Sequence, residues 1–203
     1  STLANGGLGQ YRIEGIGDKM CTLIHNVLTT DFIILIKDEE TVQGVKVFHD
    51  GTELLLKMGV DPELAKILTY AIGPSGICNI IGAIKLAKHM RFGPGDNVVT
   101  IATDGFDRYD SVLEELNARY LELTENVLSR WTQDIFIQAD EEHIYDVRRP
   151  AAKQRLFRQK EADWLKFGYS QQYLDSMQDQ AFWEAEYAKV EPYNQKILAQ
   201  RSK

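Results

Sequence analysis

The amino-acid sequence predicts an α/β fold in which a parallel sheet is followed by an all-helical carboxyl-terminal extension. Two short apolar runs rich in β-branched residues, at 32–36 and 98–102, are typical of strands buried on both faces. Helical patterns separate the two runs, and this order implies the right-handed crossovers of a parallel sheet. Residues 114–203 contain a single glycine, Gly168, and are charged and aromatic throughout. The sequence therefore predicts two domains, residues 1–113 and residues 114–203.

Local signals place the helices that follow the first run. The acidic residues 38–40 favour a helix start, because negative side chains interact favourably with the positive end of the helix dipole. Asp61 is a good N-cap and Pro62 suits the first helical position, so a second helix is expected to begin there. A third helix is expected after the start of GPSGICN, residues 73–79, because isoleucines recur along one face from there onward.

Large aromatic and apolar side chains recur at helical spacing in the second half of the chain. We interpret this stripe as packing core or subunit interface rather than as a cofactor site. Its members are Trp164, Phe167, Tyr173, Met177, Trp183 and Tyr187. An interface of this kind predicts that the chain belongs to an oligomer.

The composition excludes several classes of partner. The net charge of −7 argues against nucleic acid and against anionic membranes, because both bind basic surfaces. No apolar run approaches the roughly 18 residues of a membrane span. Cys21 and Cys78 are too few for a disulfide framework, so we expect buried thiols in an intracellular chain, either cytoplasmic or organellar. The four histidines are scattered, and neither a metal motif nor a catalytic nucleophile is visible.

The predicted sheet also indicates where a ligand would bind. Ligands of open parallel sheets bind at the carboxyl ends of the strands. Thr103 and Asp104 directly follow the second run, and the loop with Ser75 opens the helix that leads into that run. We therefore expect these residues to lie close together at one edge of the sheet. The alternative is that Ser75 is simply the N-cap of its helix, a position that serine favours.

Three segments, in this order, resemble one enzyme family. They read YRIEGIG at residues 11–17, GPSGICNIIGAIKLAK at 73–88 and VVTIATDGFDRYDSV at 98–112. Together they resemble the carboxyl-terminal half of fold-type II pyridoxal-phosphate enzymes, which have the tryptophan synthase β-like fold. Within these enzymes the match is to the cysteine synthase and cystathionine β-synthase group. The resemblance covers residues 9–113 well and the helical tail only loosely.

This resemblance implies a cofactor, pyridoxal 5′-phosphate, and four residues that contact it. Ser75 would face the pyridine nitrogen, and Gly15 would let the backbone pass close to the ring. Thr103 and Asp104 would lie beside the pyridine edge. A neutral serine leaves the ring nitrogen unprotonated and the ring a weaker electron sink. Such a ring suits β-elimination or β-replacement on serine- or cysteine-type amino acids.

The resemblance further implies that this chain is not a competent catalyst alone. In the family, the lysine that binds the cofactor covalently lies in the amino-terminal half, in a Ser-x-Lys context. Lys19, Lys37 and Lys85 match no catalytic position. We therefore expect a subunit of a lyase or transferase that needs an amino-terminal half to act. The alternative is a catalytically inactive, enzyme-derived subunit of a larger protein assembly.

Overall fold

The structure is mainly helical, with 63% of it in helices. In this computed structural model, residues 2–7, 19–106, 109–121 and 123–201 are described, with the backbone alone at Asn5. The described residues group into two compact units. The first unit comprises residues 2–7, 19–33 and 145–201, and the second comprises residues 34–106, 109–121 and 123–144.

Eleven α-helices occur among the described residues. In chain order the helices are α1 (Thr2–Asn5), α2 (Asp38–Asp50), α3 (Thr52–Lys57), α4 (Pro62–Leu68), α5 (Pro74–His89), α6 (Asp110–Arg119), α7 (Glu125–Thr132), α8 (Pro150–Trp164), α9 (Gln171–Ser176), α10 (Gln180–Tyr187) and α11 (Val190–Arg201). Two 3₁₀ turns, Val27–Thr29 and Leu165–Phe167, and a π-helical segment, Gln133–Gln138, accompany them. The strands of the described residues are β1 (Phe32–Ile34) and β2 (Ile144–Asp146).

The core of the second unit lies where α2 packs against α5. Gly44 on α2 permits this approach, because a β-carbon there would lie 2.9 Å from the Ile77 side chain on α5. Ile77 and Ile81 are fully buried, in agreement with the apolar face that the isoleucine spacing predicts. Apolar side chains of α2, α6 and α7 complete this core, among them Val45, Leu116, Leu128 and Trp131.

The starts of α2 and α4 confirm the helix starts that the sequence predicts. α2 begins with the acidic residues 38–40 in its first turn. α4 begins at Pro62, and the carboxylate of Asp61 accepts hydrogen bonds from the N–H groups of Glu63 and Leu64. These starts were predictable because capping depends only on residues within one helical turn.

One core cluster of the first unit consists of apolar side chains from the carboxyl-terminal helices. Its buried members are Leu174, Met177 and Trp183. The aromatic stripe predicted from the sequence is therefore core only in part, since Phe167 and Tyr187 are more than half exposed.

The predicted parallel sheet is wrong. β1 and β2 form a two-stranded antiparallel sheet, and no parallel pairing occurs among the described residues. Of residues 32–36, only Ile33 is buried, and residues 98–102 form no strand at all. β-branched residues favour an extended backbone, but a sheet also needs a second strand, and a local sequence does not specify that strand. The chain is therefore not an α/β fold-type II pyridoxal-phosphate domain.

The second half of the chain is largely helical, but it is not the all-helical extension that the sequence predicts, because it contains β2. The predicted boundary between residues 113 and 114 lies within α6. The division into an enzyme-like domain and an extension stays a prediction. None of the described helices combines the length and the apolar character that crossing a lipid bilayer requires.

Candidate functional site at the start of helix α5

Ser75 lies in the first turn of helix α5. Gly73 is the N-cap with an extended backbone, Pro74 occupies the first helical position and Ser75 the second. Proline suits the first position because an N–H group there has no partner within the helix. The interpretation of Ser75 as the N-cap is therefore wrong, and its hydroxyl is left for another role.

The segment 101–104 runs alongside this helix start. The N–H group of Gly73 donates to the carbonyl oxygen of Asp104 at 2.9 Å. The side-chain amide of Asn79 donates to the carbonyl oxygen of Ile101 at 3.0 Å. A β-carbon at Gly73 would lie only 2.5 Å from the same Asp104 oxygen, so this backbone approach requires glycine. The two features expected to be neighbours are therefore neighbours, although no parallel sheet holds them. We call this place the α5 junction, residues 73–76 with residues 101–104.

Two buried hydroxyl groups at the α5 junction have no hydrogen-bond partner among the described residues. They are Ser75 Oγ and Thr103 Oγ1, and Ser75 as a whole is only 2% exposed. A buried polar group without a partner destabilises the folded state by about 1–3 kcal/mol. The junction therefore contains hydrogen-bonding capacity that the described part of the chain does not use.

The other predicted site residues contribute less, or lie outside the described residues. Asp104 provides its backbone carbonyl oxygen to Gly73. Phe106 donates its N–H group to the carbonyl oxygen of Tyr70 at 2.8 Å, which fixes the chain after the junction. Gly15 lies outside the described residues, as do residues 107–108. The predicted approach of Gly15 to a cofactor ring stays a prediction.

The charged groups of α5 lie far from its start. Burial raises the pKa of the Cys78 thiol, so this neighbour of Ser75 along α5 is not an activated nucleophile. Lys85 is buried near the other end, with Nζ 2.7 Å from Glu40 Oε1 and 3.1 Å from Asp140 Oδ1. The amine of Lys85 is therefore engaged in ion pairs. The buried hydroxyls of the junction are neutral hydrogen-bonding groups that a ligand could use.

One cluster of reactive groups in the first unit was not predicted from the sequence. Cys21 and Cys78 are buried free thiols, as predicted, but Cys21 Sγ lies 3.4 Å from Nδ1 of His25. The four-residue spacing of this cysteine and histidine was the available signal. Lys160 joins the cluster from 135 positions away in the sequence, and no local pattern indicates it. No group of three or more His, Cys, Asp or Glu side chains suited to a metal ion occurs in the described ranges.

Comparisons of the chain with protein-family models, with curated proteins and with solved structures found no match. The fold and the α5 junction therefore define a class of protein rather than a family. The class is a mainly helical protein of two compact units, with a buried, hydroxyl-bearing loop at the start of α5.

Proposed function

We propose that the α5 junction forms one wall of a pyridoxal 5′-phosphate site, in a lyase or transferase that a second chain completes. The observation that carries the proposal is the pair of buried hydroxyls, Ser75 Oγ and Thr103 Oγ1, which have no partner among the described residues. A pyridine nitrogen accepts one hydrogen bond, and a serine hydroxyl is a neutral donor of the right kind. The resemblance of residues 9–113 to the cysteine synthase group supports the choice of this cofactor.

The residues of the junction fit part of what the cofactor needs. Ser75 would hold the ring nitrogen and Thr103 would contact the ring edge, and both side chains are neutral. When bound, pyridoxal phosphate supplies an electron sink for cleavage of a bond at the β-carbon of an amino acid. The residues of this chain would orient the ring and exclude water from one of its edges. The lysine that binds the cofactor would come from the second chain.

The exposed segment next to the junction supports the need for a second chain. Val99 and Ile101 are 89% and 71% exposed, although their run is typical of a strand buried on both faces. Extended apolar segments without a pairing partner are sites of association with other chains. A partner that covers these side chains would also border the α5 junction, because Asn79 ties Ile101 to α5.

Ser75→Ala is expected to weaken the binding of pyridoxal phosphate about tenfold, because one hydrogen bond of roughly 1.4 kcal/mol is lost. Calorimetric titration of the 203-residue chain measures this loss. An analogue with CH in place of the ring nitrogen is expected to bind the wild type and Ser75→Ala alike. Without ligand, the free energy of unfolding of Ser75→Ala is expected to stay the same or to rise, because the variant removes a buried hydroxyl without a partner.

Thr132→Val is the matched control for this test. The hydroxyl of Thr132 is also buried in the second unit, but it already donates to the carbonyl oxygen of Leu128 at 2.8 Å. The control is expected to bind pyridoxal phosphate like the wild type. Equal affinity of the wild type and Ser75→Ala contradicts the proposal. So does an equal loss of affinity for the analogue.

A catalytically inactive subunit of a larger assembly is the second candidate function. Exposed aromatic side chains of the first unit favour it, since Phe167, Tyr187 and Tyr193 are each more than half exposed. Aromatic residues are enriched in protein–protein interfaces. Native mass spectrometry of the chain isolated from its own cells is expected to show a complex of fixed stoichiometry. A monomer without any bound protein contradicts this function.

A further inference from the structure

Lys160 differs from the other fully buried lysines among the described residues. Lys46, Lys85 and Lys160 are each at most 2% exposed. The ammonium of Lys46 contacts the carboxylate of Asp50, and that of Lys85 lies 2.7 Å from Glu40. In the described part of the chain, no carboxylate oxygen lies within 4.0 Å of Lys160 Nζ. Lys160 is thus a buried cation without a nearby anion.

The surroundings of Lys160 stabilise its charge only weakly. Nζ donates to the carbonyl oxygen of His25 at 2.7 Å and lies 5.2 Å from the centroid of the Trp183 ring. An ammonium group has three N–H donors, and this carbonyl is the one acceptor that it reaches among the described residues. Burial therefore lowers the pKa of Lys160 to about 8. At pH 7, about one molecule in ten then carries the neutral amine.

The imidazole of His25 is neutral, and its hydrogen bonds define its tautomer. The hydroxyl of Thr30 donates to the carbonyl oxygen of Asn26 at 3.0 Å. Thr30 Oγ1 therefore accepts the hydrogen bond that joins it to His25 Nε2 at 2.8 Å, so Nε2 carries the proton. The lone pair of Nδ1 then faces the thiol of Cys21 at 3.4 Å. Burial, together with neighbouring lysine ammonium groups, lowers the pKa of His25 to about 4.

The same burial acts in opposite directions on the two nucleophiles of this cluster. It raises the pKa of the Cys21 thiol to about 11, so the reactive thiolate is scarce. It lowers the pKa of Lys160, so the reactive neutral amine is far more populated than in an ordinary lysine. The amine of Lys160, and not the thiol of Cys21, is therefore the activated nucleophile in the first unit.

We propose that Lys160 is a reactive amine that condenses with a small aldehyde. The lone pair of Nζ attacks the carbonyl carbon, and the electron pair of the C=O bond moves to oxygen, which takes up a proton. The resulting hydroxyl group then leaves as water, while nitrogen loses its second proton and a C=N bond forms. One amine and one aldehyde thus give one imine and one water, with no oxidant or reductant. This site lies in the first unit and is independent of the function proposed for Ser75.

The position of Lys160 selects for small and apolar aldehydes. Its amine is almost fully buried, so a bulky or charged carbonyl compound does not reach it without opening the unit. The face of the Trp183 ring, 5.2 Å from Nζ, offers an apolar surface to the carbon atoms of the ligand. Propanal is therefore the probe of choice, because it is small, uncharged and apolar beyond its carbonyl group.

Treatment of the folded chain with propanal and cyanoborohydride traps the imine as a stable propyl amine, which peptide mapping by mass spectrometry locates. An amine with a pKa of about 8 instead of 10.5 holds roughly 300-fold more neutral form at pH 7. Lys160 is therefore expected to be labelled at least about tenfold faster than Lys46 and Lys85, whose ammonium groups contact carboxylates. Its labelling rate is expected to rise with pH and to level off above about 8.

Lys46 and Lys85 are internal controls in the same molecule, so the comparison needs no variant. Lys160→Arg keeps the positive charge and is expected to remove the label at this site, while Cys21→Ser is expected to retain it. In denaturant, all three lysines are expected to react at similar rates. Labelling of Lys160 no faster than that of Lys46 and Lys85 in the folded chain overturns the proposal. A labelling rate that does not level off near pH 8, or that Cys21→Ser abolishes, overturns it too.

Discussion

Lys85→Met is expected to lower the free energy of unfolding by about 3 kcal/mol, at the lower end of the range for breaking a buried ion pair. Lys85 is 1% exposed, and its ammonium lies between the carboxylates of Glu40 and Asp140. Methionine fills much of the same volume, so the main effect is a nearly buried Glu40 carboxylate without its cation. The loss is not larger because Asp140 is 45% exposed and regains water.

The loss at Lys85 is also expected to depend on pH. Although burial opposes it, hydrogen bonding from Lys85 and the charges of Lys85 and Lys37 hold the pKa of Asp140 below its ordinary value of 3.8. A depressed carboxyl pKa stabilises the fold above that ordinary value, and this stabilisation is lost as the pH falls through the folded-state pKa. The difference between Lys85→Met and the wild type is therefore expected to shrink below about pH 4.

Lys37→Met is the matched control, because it makes the same substitution beside the same Asp140. The side chain of Lys37 is 50% exposed, and its ammonium lies 3.7 Å from Asp140 and 3.4 Å from Glu142. An exposed pair of this kind contributes at most about 1 kcal/mol. Urea denaturation followed by circular dichroism gives both values. Equal losses in the two variants would show that burial adds nothing to this ion pair.

Features that depend on neighbouring residues were predictable from the sequence. The start of α4 follows from Asp61 and Pro62, and the buried face of α5 follows from the spacing of Ile77 and Ile81. The sheet was not predictable in this way. Residues 98–102 have the composition of a buried strand, but a strand also needs a hydrogen-bonding neighbour, and the described chain provides none for them.

The candidate sites, too, were predictable only in part from neighbouring residues. Ser75 and Thr103 were expected to be neighbours, and the hydrogen bond from Gly73 to Asp104 brings their segments together. The expected reason for this, a parallel sheet, was wrong. The two segments are joined instead by direct hydrogen bonds between the start of α5 and residues 101–104. Lys160 was not predicted at all. Its contact with His25 spans 135 positions, and its reactivity comes from burial, which a single sequence position does not reveal.

Trp183→Ala is expected to lower the stability of the first unit by about 3–5 kcal/mol, as is usual when a large buried aromatic side chain is removed. Trp183 is 5% exposed, and its indole N–H donates to the carbonyl oxygen of Met177 at 2.8 Å. Its ring contacts that of Phe182, with centroids 5.3 Å apart, and lies beneath the ammonium of Lys160. Alanine removes all three interactions and leaves a cavity beside Met177.

Trp183→Phe separates these contributions, because it keeps a ring and removes the N–H donor. Its free energy of unfolding is expected to fall by about 1–2 kcal/mol, mainly because the carbonyl oxygen of Met177 loses its hydrogen bond. Tyr187→Ala removes a neighbouring ring that is 56% exposed, and it is expected to change stability by less than about 1 kcal/mol.

Hydrogen exchange read by mass spectrometry is the appropriate measurement, because it reports on each unit separately. In Trp183→Ala, faster exchange is expected within residues 150–187 and not within residues 38–89. Equal acceleration in both ranges would contradict the assignment of Trp183 to the core of the first unit alone.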